Sequence, residues 1–133
     1  MIQWNEDNGI RVFRLSSELF PHKTNPKTPD YDFEFAKQHL QKIGDLAKQY
    51  NHRLTFHPGQ YNVLASKTKK ALQQTIKDLE YHADILDLMG MGKDSVMVIH
   101  GGGTYGDKAS AIQRWVINYN ELPDKIKQRL VLE

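Results

Sequence analysis

Cysteine is absent from the 133 residues, which excludes disulfide staples and thiolate metal sites and leaves His, Asp and Glu as the metal-ligand types. No stretch approaches the roughly 20 apolar residues of a membrane span. The opening Met1-Ile2-Gln3-Trp4-Asn5 lacks the basic flank and apolar run of a secretory leader, so a cytoplasmic protein with no membrane association is expected. A surplus of one charge sign is also missing: the net charge of +2 is too small to point to nucleic acid by itself. The lysines do cluster, with Lys67, Lys69 and Lys70 after one loop and Lys108 after a run of glycines, but a solvated helix start explains such lysines equally well.

What is present is a foldable core: 39% of the residues are hydrophobic and 26% charged, with six Tyr, five Phe and two Trp. Ile10 to Leu15 alternates apolar with basic and reads as a strand ending in Ser16-Ser17. After a Pro- and Asn-containing loop, Phe33, Ala36, Leu40, Ile43, Ala47 and Tyr50 follow helical spacing. Arg53-Leu54-Thr55-Phe56 reads as a second strand, stopped at His57-Pro58 because proline has no backbone donor to continue a sheet. A helix from Ala71 to Met89 leads to Ser95-Val96-Met97-Val98-Ile99, an apolar run that suits a parallel strand covered on both faces. His100 and three glycines follow, then a helix from Lys108 to Asn120, a turn at Pro123, a short helical piece and a fourth strand, Arg129 to Leu132.

Strands alternating with helices define an α/β protein whose strands run parallel. The first strand-to-helix turn lacks G-x-G-x-x-G, so a small doubly wound nucleotide-binding domain is unsupported and a partial (β/α) barrel of about four strands with flanking helices is the better reading. Functional residues of such folds gather at the carboxyl ends of the strands, which here carry Ser16-Ser17 with His22 close behind, His57, His100 and Glu133. A lone histidine there is best read as structural. Adjacent parallel strands change this by bringing His57, His100 and Glu133 to one rim, a donor set suited to Zn, Mn or Fe.

The glycines of Gly101-Gly102-Gly103 allow backbone to approach a ligand, and the helix after them offers N–H groups to a phosphate, although a tight turn accounts for them as well. Lys108 is a candidate phosphate contact on the same segment. Gln60-Tyr61 pairs an amide with an aromatic face that could probe a base, while Tyr61 read alone is expected to pack against the rim. His39, His52 and His82 lie within or before regular elements and receive structural readings. Ser16 and Ser17 lack a His-Asp relay, which disfavours a serine hydrolase.

Ile10-Arg11-Val12-Phe13-Arg14-Leu15-Ser16-Ser17 with Phe20-Pro21-His22, and Arg53-Leu54-Thr55-Phe56-His57-Pro58-Gly59-Gln60-Tyr61, resemble the UV-damage endonuclease family. Tyr81-His82-Ala83, Ile99-His100-Gly101-Gly102, Tyr105-Gly106-Asp107-Lys108 and Arg129-Leu130-Val131-Leu132-Glu133 resemble it too, in the family's order, from about Trp4 onward. The resemblance implies a TIM-type barrel related to endonuclease IV and the xylose-isomerase-like barrels. It also implies a divalent metal cluster, manganese with zinc as the alternative, and incision of damaged duplex DNA 5′ to photoproducts. His57, His100 and Glu133 would be metal ligands, His22 would lie near the scissile phosphate, Gln60 and Tyr61 would probe the lesion, and Lys108 would contact phosphate.

The same resemblance makes residues 1–133 the N-terminal part of one barrel domain, matching its second to fifth strands and truncated at both ends. The remaining ligands would then lie on absent strands, and the chain alone would have little or no nuclease activity. No obligate protein partner is expected. The competing readings are a sugar isomerase-like metal enzyme of the same barrel group and a non-catalytic DNA-binding remnant.

Overall fold

The computed structural model describes all residues 1–133. Four strands, β1 (Val12–Leu15), β2 (Arg53–Phe56), β3 (Met97–Ile99) and β4 (Leu130–Leu132), form one parallel sheet in the order β1-β2-β3-β4. Parallel neighbours need a crossover, and the chain supplies α2 (Glu34–Gln49), α3 (Lys69–Leu88), then α4 (Lys108–Asn120) with α5 (Asp124–Lys127) between successive strands. A further helix, α1 (Ile2–Asp7), precedes β1.

Alternation along the strands sorts the core. Leu54, Phe56, Met97 and Ile99 are at most 1% exposed and join Leu79, Ala83 and Leu86 of α3 in one apolar cluster. Burying each such large side chain contributes about 1.5–3 kcal/mol before conformational entropy is counted. The helices lie close: a Cβ on Gly44 of α2 would fall 1.7 Å from the Met89 carbonyl oxygen just after α3, so only glycine fits there. α3 starts where the Thr68 hydroxyl accepts a hydrogen bond from the Ala71 amide, and α4 where the Asp107 carboxylate accepts one from Ser110.

The other sheet face, carrying Arg14, Thr55, Val98 and Val131, has no helix over it. Thr55 and Val98 are only half-buried and Val131 is 41% exposed, which corrects the expectation that the third strand is covered on both faces. This is the face a (β/α) barrel turns inward.

The amino ends of the strands form a tied foot. His52 Nε2 lies 2.9 Å from Glu6 Oε2, Arg11 pairs with the same carboxylate and donates to the Tyr50 carbonyl at 2.8 Å, and Tyr50 Oη donates to Gln3. Together these hold α1 against the starts of β1 and β2. Buried Arg129 donates to the carbonyls of Gly92 (2.7 Å), Ser95 (3.0 Å) and Met91 (2.9 Å) and to Asp87 Oδ1 (2.6 Å). Ile10, Arg11, Ser95, Val96 and Arg129, expected within strands, lie just outside them; α1 was not expected, and its six residues carry no side-chain cap to announce it.

Candidate functional site

The alternation that places Thr55, Val98 and Val131 on the inner face extends two residues further to His57, His100 and Glu133, beyond the last paired residue of each strand. The ladder reaches the rim itself, since the Glu133 amide donates to the Ile99 carbonyl at 2.9 Å. Three positions far apart in sequence therefore share one place because three strands are parallel and adjacent.

Glu133 Oε2 lies 3.1 Å from His57 Nε2 and 3.4 Å from His100 Nδ1, the two imidazole centroids are 4.9 Å apart, and the three ligand atoms fall within 4.8 Å of one another. A hydrogen bond from His57 and the nearby charges of His100, His57 and Arg14 hold the Glu133 carboxyl below its ordinary pKa despite some desolvation. The carboxylate is thus ionised and available as a ligand at neutral pH. His57 Nδ1 lies 3.3 Å from the Pro58 carbonyl, so if an ion took the place of the Nε2–H bond to Glu133, a proton on Nδ1 would donate there and leave Nε2 free as a ligand.

Two imidazoles and a carboxylate fit a divalent ion in both chemistry and spacing. Ligand atoms at about 2.1 Å from one metal lie no more than about 4.2 Å apart, and both carboxylate separations already meet that bound. The remaining pair, the two imidazole nitrogens, lies within 4.8 Å. The rim is open to solvent, with 22% of the His57 side chain, 52% of His100 and 59% of Glu133 exposed.

The other candidate residues surround this cluster without joining it. Gln60 and Tyr61 stand on the β2–α3 loop between buried Pro58 and Asn62, and Tyr61 is 87% exposed. The expectation that Tyr61 packs against the rim is therefore overturned: the residues on either side are pegged down, and the ring is presented to solvent. His22, on the β1–α2 loop, lines a polar hollow with Ser17, Lys23, Asp78 and Tyr81. Its φ of 61° is a left-handed conformation in which a non-glycine residue is uncommon. Ser17 borders this hollow and also those beside His57 and Tyr61, so the three features share one rim.

Lys108 is the exposed first residue of α4. The helix start beside it offers less to an anion than its sequence suggests, because the Asp107 carboxylate already occupies it. Gly101, Gly103 and Gly106 have the spacing of a dinucleotide turn, but Gly102 is needed for packing: with φ +86°, a Cβ there would meet Val63 at 2.3 Å. The close approach these glycines permit is between two rim loops. Arg14, on the inward row of β1, borders the hollow beside His57 and its charge acts on Glu133; a charged residue on an inward-facing strand row is the sequence signal for it. His52 and His82 are 4% and 1% exposed, in keeping with structural roles, whereas His39 is exposed on α2.

A parallel α/β sheet with an open inner face and helices on the other defines a partial (β/α) barrel, with polar groups collected at its carboxyl rim. The family model for UV-endonuclease UvdE matches residues 1–133, and the chain belongs to that family. The UV-damage endonuclease of Schizosaccharomyces pombe is 44% identical over 137 residues, which cover 100% of this chain and 23% of that protein. A UV DNA damage endonuclease of Bacillus velezensis is 42% identical over 129 residues, covering 95% of this chain and 39% of that protein. The crystal structure of SacUVDE superposes with a TM-score of 0.92 at 35% identity, covering 98% of this chain and 45% of that one. The chain thus spans less than half the length of the relatives it matches.

Proposed function

We propose that the chain supplies the metal-binding rim and the lesion-contacting loop of a DNA-repair endonuclease that nicks damaged duplex DNA on the 5′ side of ultraviolet photoproducts, cyclobutane dimers and 6-4 products. The observation that carries this reading is the convergence of His57, His100 and Glu133 at the rim of a chain belonging to this family. Relatives named UV-damage endonuclease supply the substrate class.

His57, His100 and Glu133 would hold a divalent ion, manganese in first place and zinc in second, and zinc or manganese in such a set supplies Lewis acidity and a hydroxide nucleophile near neutral pH. The protein's own groups do the positioning. Tyr61 offers its exposed ring to a base displaced at the lesion, and Gln60 an amide to its edge or to the orphaned partner. His22 stands close to the phosphate to be cut. Arg14 and Lys108 draw the phosphates to the rim, which makes binding salt-dependent. Three ligands leave the coordination shell incomplete, so water or further protein groups finish it. Because the matched stretch is under half of each relative, we further propose that efficient incision needs barrel strands beyond it and that these 133 residues alone nick weakly.

The test is a fluorescent duplex carrying one thymine dimer, incubated with Mn²⁺ and either this chain or a relative of full length. The expected result is a 5′-side nick by the relative, and by this chain a salt-sensitive preference for the damaged duplex with little cutting. Equal affinity for damaged and undamaged duplex, with no nick, would contradict the reading.

A further inference from the structure

We propose that Asp78, a residue with no assigned role on the middle of α3, is a positioning residue that locks the loop carrying Gln60 and Tyr61 to the loop carrying His22. Each carboxylate oxygen serves a different loop. Oδ1 accepts from the Thr24 hydroxyl at 2.9 Å, two residues past His22, and Oδ2 accepts from the Asn62 side-chain amide at 2.6 Å, next to Tyr61. Asn62 is 9% exposed and spends its other donors on the Gly59 carbonyl, from its amide side chain and its backbone N–H, both at 3.0 Å, so it closes the turn that projects Gln60 and Tyr61.

Neighbours on the same face of α3 repeat the pattern with neutral groups. Gln74 Nε2 donates to the Thr24 carbonyl at 2.7 Å, Thr75 Oγ1 accepts from the Val63 amide at 3.3 Å, and Tyr81 Oη accepts from the Phe20 amide at 2.9 Å. Residues 74, 78 and 81 recur at helical spacing, so one rigid helix face reads out to both loops. Within that face Asp78 alone brings a charged acceptor, and alone bonds both loops through its side chain. Hydrogen bonds to a charged group are the stronger kind. The side chain is 21% exposed and its oxygens are engaged by the two loops, so it acts through them and not on DNA.

The consequence is a fixed distance between the probing ring and His22, set by the helix that both loops are bonded to. The proposal rests on the reading of Gln60, Tyr61 and His22 as DNA contacts, but its structural half can be measured without DNA. Amide hydrogen exchange of the wild-type chain and of Asp78→Leu, an apolar variant of similar volume, should show faster exchange in residues 20–28 and 58–66 together. About tenfold is expected, the worth of one charge-assisted bond, with α3 and the strands still protected. Asp78→Asn should recover part of the protection in both loops, because its Oδ1 can accept from Asn62 while its amide donates to the Thr24 hydroxyl, with the remaining deficit set by the lost charge.

In a dimer-incision assay on a relative of full length carrying the matching substitution, the counterpart of Asp78→Leu should raise KM for damaged duplex about tenfold more than it lowers kcat, and the counterpart of Asp78→Asn should restore it in part. Faster exchange in one loop only, in neither, or throughout the sheet overturns the proposal. Coupled loops in a protein whose wild type has no preference for damaged duplex would leave the coupling standing and refute the DNA reading on which its purpose rests.

Discussion

The two ends of the same sheet spend their polar groups in opposite ways. At the foot, Arg129 has a partner for four hydrogen bonds and His52 is enclosed against Glu6. At the rim, His57, His100 and Glu133 gather three ligand atoms within 4.8 Å, and the ring of Tyr61 faces solvent. A histidine at the foot is consumed by folding, and a histidine at the rim is left available. Residue type does not separate the two; burial does, since His52 is 4% exposed whereas 22% of the His57 side chain and 52% of the His100 side chain are open to solvent. In barrels of this kind the amino ends of the strands serve stability and the carboxyl ends serve chemistry, and burial of polar groups divides the same way within these four short strands.

The division can be broken most forcefully at the foot. Arg129→Met leaves the carbonyls of Ser95 and Met91 without their side-chain donor, and that of Gly92 with the Ser95 amide alone, and should cost about 3 kcal/mol in urea unfolding, with metal binding at the rim unchanged under native conditions. A loss below about 1 kcal/mol would mean the foot is not where stability is concentrated.

A smaller effect is expected from His82, which lies between the ends with its Nδ1–H donated to the Asp78 carbonyl at 2.7 Å and its ring 4.8 Å from that of Phe56. Burial holds its pKa below the ordinary 6.5, against the opposing pull of the Asp78 and Glu18 charges. As pH falls below 6.5 the unfolded imidazole takes up a proton that the folded one refuses, so stability declines toward the folded pKa and is level above 6.5. The limiting slope is about 1.4 kcal/mol per pH unit. Urea midpoints at pH 7.5 and 5.5 should therefore differ more for the wild type than for His82→Gln, and equal differences would show that His82 does not titrate in this way.

The smallest stability change belongs to the rim. Tyr61→Ala should alter unfolding by no more than about 0.5 kcal/mol, because a ring that is 87% exposed contributes little to the fold. It should nevertheless lower the preference for a dimer-containing duplex about tenfold, the scale of one lost stacking contact. A destabilised variant with unchanged preference would reverse the assignment of this residue.

The strand ends were legible because alternation and the His57-Pro58 stop fix where β2 leaves the sheet, and an apolar run terminating at His100 does the same for β3. Parallel order then follows from the helices between, and with it the meeting of His57, His100 and Glu133. Long-range pairings left no comparable signal. Nothing in the local sequence links Asp78 to Thr24, 54 residues away, or Arg14 to the Glu133 carboxylate. The exposure of Tyr61 was hidden for a related reason: Asn62 beside it is held down by Asp78 of α3 and by its own turn, and Pro58 is buried, which only the folded chain supplies. The short α1 escaped notice because six residues give too little periodicity, and its anchor, Glu6 on His52, is again distant in sequence.

The central claim, that the rim holds a divalent cation through these three residues, is tested most directly by titrating Mn²⁺ into the chain and following the free-ion electron paramagnetic resonance signal, beside Glu133→Gln and His57→Ala. The account predicts uptake by the wild type and affinities at least about tenfold lower in both variants, which should fold as the wild type does. Equal uptake by all three proteins would contradict it.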